Sequence, residues 1–208
     1  DILESKGSPL AFERVISFAL PLAEALSYIH YQGLVHRDIK PSNIMLDKED
    51  GPTLMDFGLV RLESSELTLC GHSIGTPLYM SPEMMRAEET DVKSDIYQFA
   101  AVLYEALTGR PPFVTNDIRT LAYKILTEDP ALPSTINPKL PQEIDEFILC
   151  CLAKDRESRY PSMDLVHEKL TEFRSLTASC VLEAESSPAT EDTMSSAGHG
   201  SASSSAGH

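Results

Sequence analysis

The sequence predicts an α+β domain that is mostly α. Three observations carry that expectation. Apolar residues recur at spacings of three and four in several stretches, which marks helices with one buried face. Only short β-type runs stand between the first helical stretch and the next. The hydrophobic content of 42% in 208 residues suffices for one packed core.

The first helix covers residues 10–30, with Val15, Ala19, Leu22, Leu26 and Ile29 along one face. Pro21 lies inside it, so a lost hydrogen bond and a kink are expected, and Gly33 should end it. Strands are expected at 34–35, 44–46 and 53–55, with DKEDGP at 47–52 as a hairpin turn. Residues 59–80 show little periodicity, and a loop of that length in a compact domain is functional or mobile. Residues 96–107 are apolar almost all round, which places that helix in the domain centre, stopped by Gly109, Pro111 and Pro112. A further helix is expected at 118–126. Another begins with Pro141 in its first turn and turns Ile144, Phe147, Ile148, Cys151 and Leu152 inward. The last spans 162–176, with Met163, Val166, Leu170 and Phe173 inward. Residues 178–208 are rich in Ser, Ala and Gly, and no Lys or Arg follows Arg174. Such a segment buries too little apolar surface to offset its chain entropy, so a domain of 1–177 followed by a disordered acidic tail is expected.

Composition narrows the function. A net charge of -15 argues against a nucleic-acid partner held through its phosphates. No apolar run has the length of a membrane span. The opening DILESKGSPL lacks the basic and apolar regions of a signal peptide. The four cysteines, at 70, 150, 151 and 180, form no CxxC pair and read as reduced thiols.

The chemistry concentrates in HRDIKPSN at 36–43. Phosphoryl transfer needs a group to orient the attacking hydroxyl, cationic charge near the phosphate, and oxygen ligands for Mg²⁺. Asp38 can orient the hydroxyl. Lys40, two residues on, points the same way in an extended segment. Asn43 offers a neutral oxygen, and Asp56, in MDFG, a hard carboxylate suited to Mg²⁺.

HRDIKPSN at 36–43, DFG at 56–58, GTPLYMSPE at 75–83 and SDIYQFAAVLYEALTG at 94–109 stand in order at compatible spacings. Together they resemble the signature set of eukaryotic-type (Hanks-type) serine/threonine protein kinases, in a bacterial-like phrasing. The resemblance covers residues 1–176 and corresponds to the large C-terminal lobe of a protein-kinase-like fold. It implies ATP and Mg²⁺ as cofactors and protein Ser/Thr hydroxyls as acceptors. Asp38 would be the catalytic base and Lys40 the lysine at the phosphate. Asn43 and Asp56 would hold Mg²⁺, and Met45 would lie under the adenine. Thr76 would contact the lysine and base near the acceptor. Arg37 would be regulatory, pairing with a phosphate on the activation loop, for which Thr68 is favoured over Ser64, Ser65 and Ser73. Glu83 and Arg159 would form a structural pair. Asp95 would accept bonds from the backbone at His36 and Arg37, with helix capping as the competing account. His36 and Phe57 would stack in the regulatory column of side chains.

Gln98 and Ala100 stand where the family commonly has Ser and Gly, a departure expected to affect packing and the Asp95 cap, not the chemistry. No glycine-rich loop, strand lysine or partner glutamate precedes His36 in this chain. The expectation is therefore a kinase C-terminal lobe without the nucleotide-gripping N-terminal lobe, weak or inactive by itself. A non-catalytic binding module or pseudokinase is the alternative. A cytoplasmic location and homodimerisation for autophosphorylation would follow from the kinase resemblance.

Overall fold

Helix α1, Phe12–Tyr31, forms where the three-four pattern begins, and it buries Val15, Ile16, Ala19, Leu22, Ala23 and Leu26. These are features of a computed structural model that describes residues 7–56 and 77–185, with side chains through residue 175. Pro21 does not interrupt α1. It lies on the exposed side, where the carbonyl it leaves unpaired meets water. The helix ends at Gln32, whose N–H reaches back to Tyr28 and Ile29, and Gly33 follows at φ +74°.

The strand expected at 34–35 is not formed. The Leu34 N–H instead donates to Ile29 O, closing the end of α1, and the Leu34 side chain is exposed. A turn of 3-10 helix at Pro41–Asn43 leads into β1, Ile44–Leu46, which pairs antiparallel with β2, Pro52–Leu54. β2 starts one residue earlier than the sequence suggested. Pro52 opens the strand opposite Leu46, a position where a missing N–H is tolerated. Asp47 holds the turn by accepting from the N–H groups of Glu49 and Gly51. Arg14 of α1 clasps Asp50 with two guanidinium nitrogens at 2.9–3.2 Å.

After the short α2, Pro82–Met85, the chain enters α3, Val92–Thr108, buried over most of its circumference. Asp91 caps α3 in a reciprocal capping box with Ser94, so Asp95 is not the cap. Gly109 ends α3 at φ +78°, with its N–H on Glu105 O at 2.7 Å. Then follow α4, Ile118–Thr127; the short α5, Pro133–Ile136; α6, Glu143–Cys151; and α7, Met163–Glu185. Pro141 stands two residues ahead of α6 and not in its first turn. α7 continues past residue 177 to Glu185, since extending a formed helix through Ala and Leu is far easier than nucleating one. The rest of the expected tail, 186–208, lies outside the described residues.

α1 packs along α7 and across α3, and the core lies between them. Phe12, Phe147 and Phe173 meet edge to face, with ring centroids 5.5 and 6.2 Å apart. Cys151 is buried in this core, and desolvation pushes its thiol well above the usual range. Among the described residues no helix is long and apolar enough to cross a membrane.

Candidate active site

The site begins with backbone. Both carboxylate oxygens of Asp95, fully buried in the first turn of α3, accept from the loop entering the site. Oδ2 takes the His36 N–H at 2.7 Å and Oδ1 the Arg37 N–H at 2.8 Å. Arg37 takes a left-handed conformation, φ +69°, and its side chain points to solvent. The His36 imidazole is buried beneath the loop. Its Nδ1 accepts the Asp38 N–H at 3.3 Å, so its Nε2 carries the proton toward Met55 O at 3.3 Å. Desolvation lowers the His36 pKa, although Asp95 and the Met55 carbonyl act in the opposite sense, so the ring is neutral at pH 7.

This frame presents Asp38. Its Oδ2 accepts from Lys40 Nζ at 2.7 Å and from Asn43 Nδ2 at 2.9 Å. Asn43 Nδ2 also donates to Asp38 O at 2.9 Å. Three residues that the sequence grouped are thus brought together, with both known contacts on one carboxylate oxygen. Lys40 and Asp38 remain about 40% exposed, at 39% and 42% of their side-chain surface, so water screens their attraction.

Met55 N donates to Asn43 O at 2.8 Å, which sets the next residue, Asp56, beside the Asn43 segment. Asp56 is exposed at φ +53°. The amide nitrogen of Asn43 is engaged by Asp38, so its carbonyl oxygen is the end left for a cation. That oxygen and the Asp56 carboxylate are hard donors and fit Mg²⁺ in kind. Met45 is 48% exposed on the same hairpin. Phe57, Thr68 and Thr76, with the other loop hydroxyls Ser64, Ser65 and Ser73, lie outside the described residues.

The expected structural pair is a buried, forked one. Arg159 Nη1 and Nη2 donate to Glu83 Oε1 and Oε2, each at 2.8 Å, and Ser94 Oγ adds a bond at 2.6 Å. Arg159 also donates to Ala153 O and Lys93 O and lies 5.0 Å over the Tyr97 ring. Burial alone would raise the Glu83 carboxyl, but the bonds from Arg159 and Ser94 outweigh it and hold it at about 2.

Two members of the frame make contacts that the sequence did not specify. His30, at the end of α1, places Nε2 2.8 Å from Asp95 Oδ2. Gln98, expected to affect packing and the Asp95 cap, hydrogen-bonds the backbone at both Arg37 and Ile39. A polar side chain one turn after Asp95, in the most apolar stretch of the helix, was the available signal. Elsewhere, a cleft of about 740 Å³ is bounded by Asp129, Leu132, Asp145, Cys150 and Lys154 and does not include Asp38, Asn43 or Asp56.

Residues 1–171 match the protein kinase domain family. A probable serine/threonine-protein kinase of Streptomyces coelicolor is 40% identical over 161 residues, covering 76% of this chain and 24% of the relative. Serine/threonine-protein kinase PknB of Mycolicibacterium smegmatis is 39% identical over 163 residues, covering 77% and 26%. A probable PknB of Bifidobacterium longum is 42% identical over 144 residues, covering 68% and 21%. The chain thus spans about a quarter of the length of these relatives. With a matching stretch of this extent and these bacterial serine/threonine kinases as its relatives, the chain belongs to the protein kinase family.

Proposed function

We propose that this chain is the catalytic part of a serine/threonine protein kinase, the large C-terminal lobe, which passes the γ-phosphoryl group of ATP to Ser or Thr hydroxyls of proteins. The observation that carries the reading is the Asp38 carboxylate, engaged on Oδ2 by Lys40 and Asn43. Oδ1 is thereby presented to an incoming hydroxyl. Asp38 orients that hydroxyl and accepts its proton. Lys40, bonded to the base, carries its charge to the transferred phosphate and thereby couples the two reactants. Asn43 and Asp56 are the residues that would hold Mg²⁺, which when bound neutralises charge on the phosphates. Met45 supplies apolar surface for the adenine, and Thr76 is assigned to the acceptor side. A purely binding module has no physical need for this set of oxygen donors around a carboxylate.

The same reading assigns partners and setting. ATP and protein substrates meet this lobe in the cytoplasm, where ATP is supplied, and a homodimer would allow autophosphorylation. Arg37 is assigned as the receiver of a phosphate on Thr68, which would order the intervening loop. One experiment tests the reading: Mg·ATP-dependent transfer to a Ser/Thr peptide by the whole gene product. Asp38→Asn is expected to reduce kcat by at least ~100-fold, the lower range of general-base contributions. In the same preparation, phosphopeptide mapping should find phosphate between residues 61 and 75, at Thr68. Transfer insensitive to Asp38→Asn overturns the reading, and an unphosphorylated loop in active protein overturns the role of Thr68.

A further inference from the structure

From the Arg37 N–H through the Ile39 N–H the backbone presents five polar groups, and a side chain satisfies each of them. Asp95 takes the Arg37 N–H, His36 Nδ1 the Asp38 N–H, and Asn43 donates to the Asp38 carbonyl. The remaining two belong to Gln98. Its Nε2 donates to Arg37 O and its Oε1 accepts the Ile39 N–H, both at 3.3 Å. Gln98 therefore straddles Asp38, gripping the peptide just before it and the peptide just after it. The side chain is buried, at 3% exposure, and Ile39 is fully buried, so water cannot replace the bond to the Ile39 N–H.

The grip matters because of Arg37. A non-glycine residue at φ +69° is strained, and such a conformation persists only where its surroundings over-determine it. Asp95 fixes the peptide entering Arg37, and Gln98 fixes the one leaving it. Asp95 and Gln98 stand three residues apart on α3, on one face of the helix. A side-chain amide is the group that suits the second position, since it offers an acceptor and a donor in one planar fork. A carboxylate would take the Ile39 N–H but repel the Arg37 carbonyl. The family's common Ser is too short to reach both peptides.

We propose that Gln98 is a positioning residue for Asp38, a second anchor that works with Asp95 to hold the base-bearing loop in its strained form. The inference rests on the kinase reading above for its functional meaning. Gln98→Met keeps the length and nearly the volume of the side chain while removing both hydrogen bonds. In the 208-residue chain, hydrogen exchange at the Asp38 and Ile39 amides is expected to accelerate ~10-fold, with α7 unchanged, as loss of about one hydrogen bond requires. In the whole gene product, kcat is expected to fall ~10-fold with KM for ATP and for peptide unchanged, as misplacement of the base requires. Gln98→Glu, which keeps only the bond to Ile39, should fall between wild type and Gln98→Met.

Wild-type exchange at residues 37–39 together with wild-type kcat in Gln98→Met overturns the proposal. So does faster exchange spread evenly over α3 and α7 with kcat and KM both changed, which would make Gln98 a packing residue. Should Gln98→Met not fold, the wild-type chain decides: an Ile39 amide that exchanges as fast as the exposed Lys48 amide overturns the anchor, and a protected one supports it. The Asp38→Asn control separates the two readings. Transfer that survives it defeats the kinase assignment, whereas the exchange measurement reports on the anchor independently.

Discussion

Arg159 and Glu83 show how one pair of residues carries a stability cost far larger than its surface counterparts. Both side chains are almost fully buried, and the fork between them is complete. Removing one partner strands the other charge away from water. Arg159→Ala is expected to cost roughly 3–5 kcal/mol, readable as a shift of the urea midpoint. The same pair sets an acid limit. The folded-state carboxyl of Glu83 titrates at about 2, below its ordinary value of 4.5. Its contribution is therefore fully present above pH 4.5 and is lost as pH falls toward 2. The stability difference between wild type and Glu83→Gln should shrink over that window, and a difference independent of pH would refute the linkage. At this scale the site was legible where its chemistry is local. Asp38, Lys40 and Asn43 fall within six positions, so their residue types and spacing suggest a common role. For His30 and Gln98 the contacts within the frame were not legible. Their partners lie 65 and 59 residues away, and only the crossing of α1 and α3 with the loop brings them into range.

Gly33 and Gly109, which end α1 and α3, pose the same backbone problem at the scale of elements, at φ +74° and +78°. Their surroundings differ. A Cβ on Gly33 would meet nothing within 4 Å, whereas one on Gly109 would lie 2.9 Å from Gly7 O. Gly33→Ala should therefore cost only the conformational term, about 1 kcal/mol. Gly109→Ala should cost more, about 2–3 kcal/mol, because the chain entering α1 must also shift. Thermal melts of the two variants check this, and equal losses would show that the approach of Gly7 relaxes freely. Element boundaries were legible where such punctuation exists, as at both glycines and in the DKEDGP turn. They were misread where the deciding term lies outside the segment. Residues 34–35 have strand-like side chains, yet the Leu34 N–H is taken by the end of α1. Residues 178–185 look like tail by composition, yet they extend a helix that packing has already nucleated. The four-residue helices α2 and α5 are too short to show a period at all.

Among the described residues, the candidate groups Asp38, Lys40, Asn43, Met45 and Asp56 lie on one loop and on or just beyond one two-stranded hairpin, with a helical core beneath. Asp38 and Lys40 are partly open to solvent, and Asp56 and Met45 are exposed. Such an arrangement can orient a hydroxyl and offer oxygens to a cation. Gripping the phosphates of ATP takes more: backbone N–H groups of a glycine-rich loop, and a lysine paired with a glutamate. Ahead of His36 this chain has glycines only at 7 and 33, and no strand is described there. A stretch assayed without such a grip would not hold its substrate in line with Asp38 and would forfeit the advantage of proximity. The 208-residue chain, assayed alone at saturating peptide and millimolar Mg·ATP, is therefore expected to transfer phosphate no faster than its own Asp38→Asn variant. The whole gene product, assayed in parallel, supplies the reference rate. Turnover by the 208-residue chain at ~1 per second or above, in the range of working kinases and abolished by Asp38→Asn, would refute this expectation. It would mean that the loop and hairpin suffice to hold ATP for reaction.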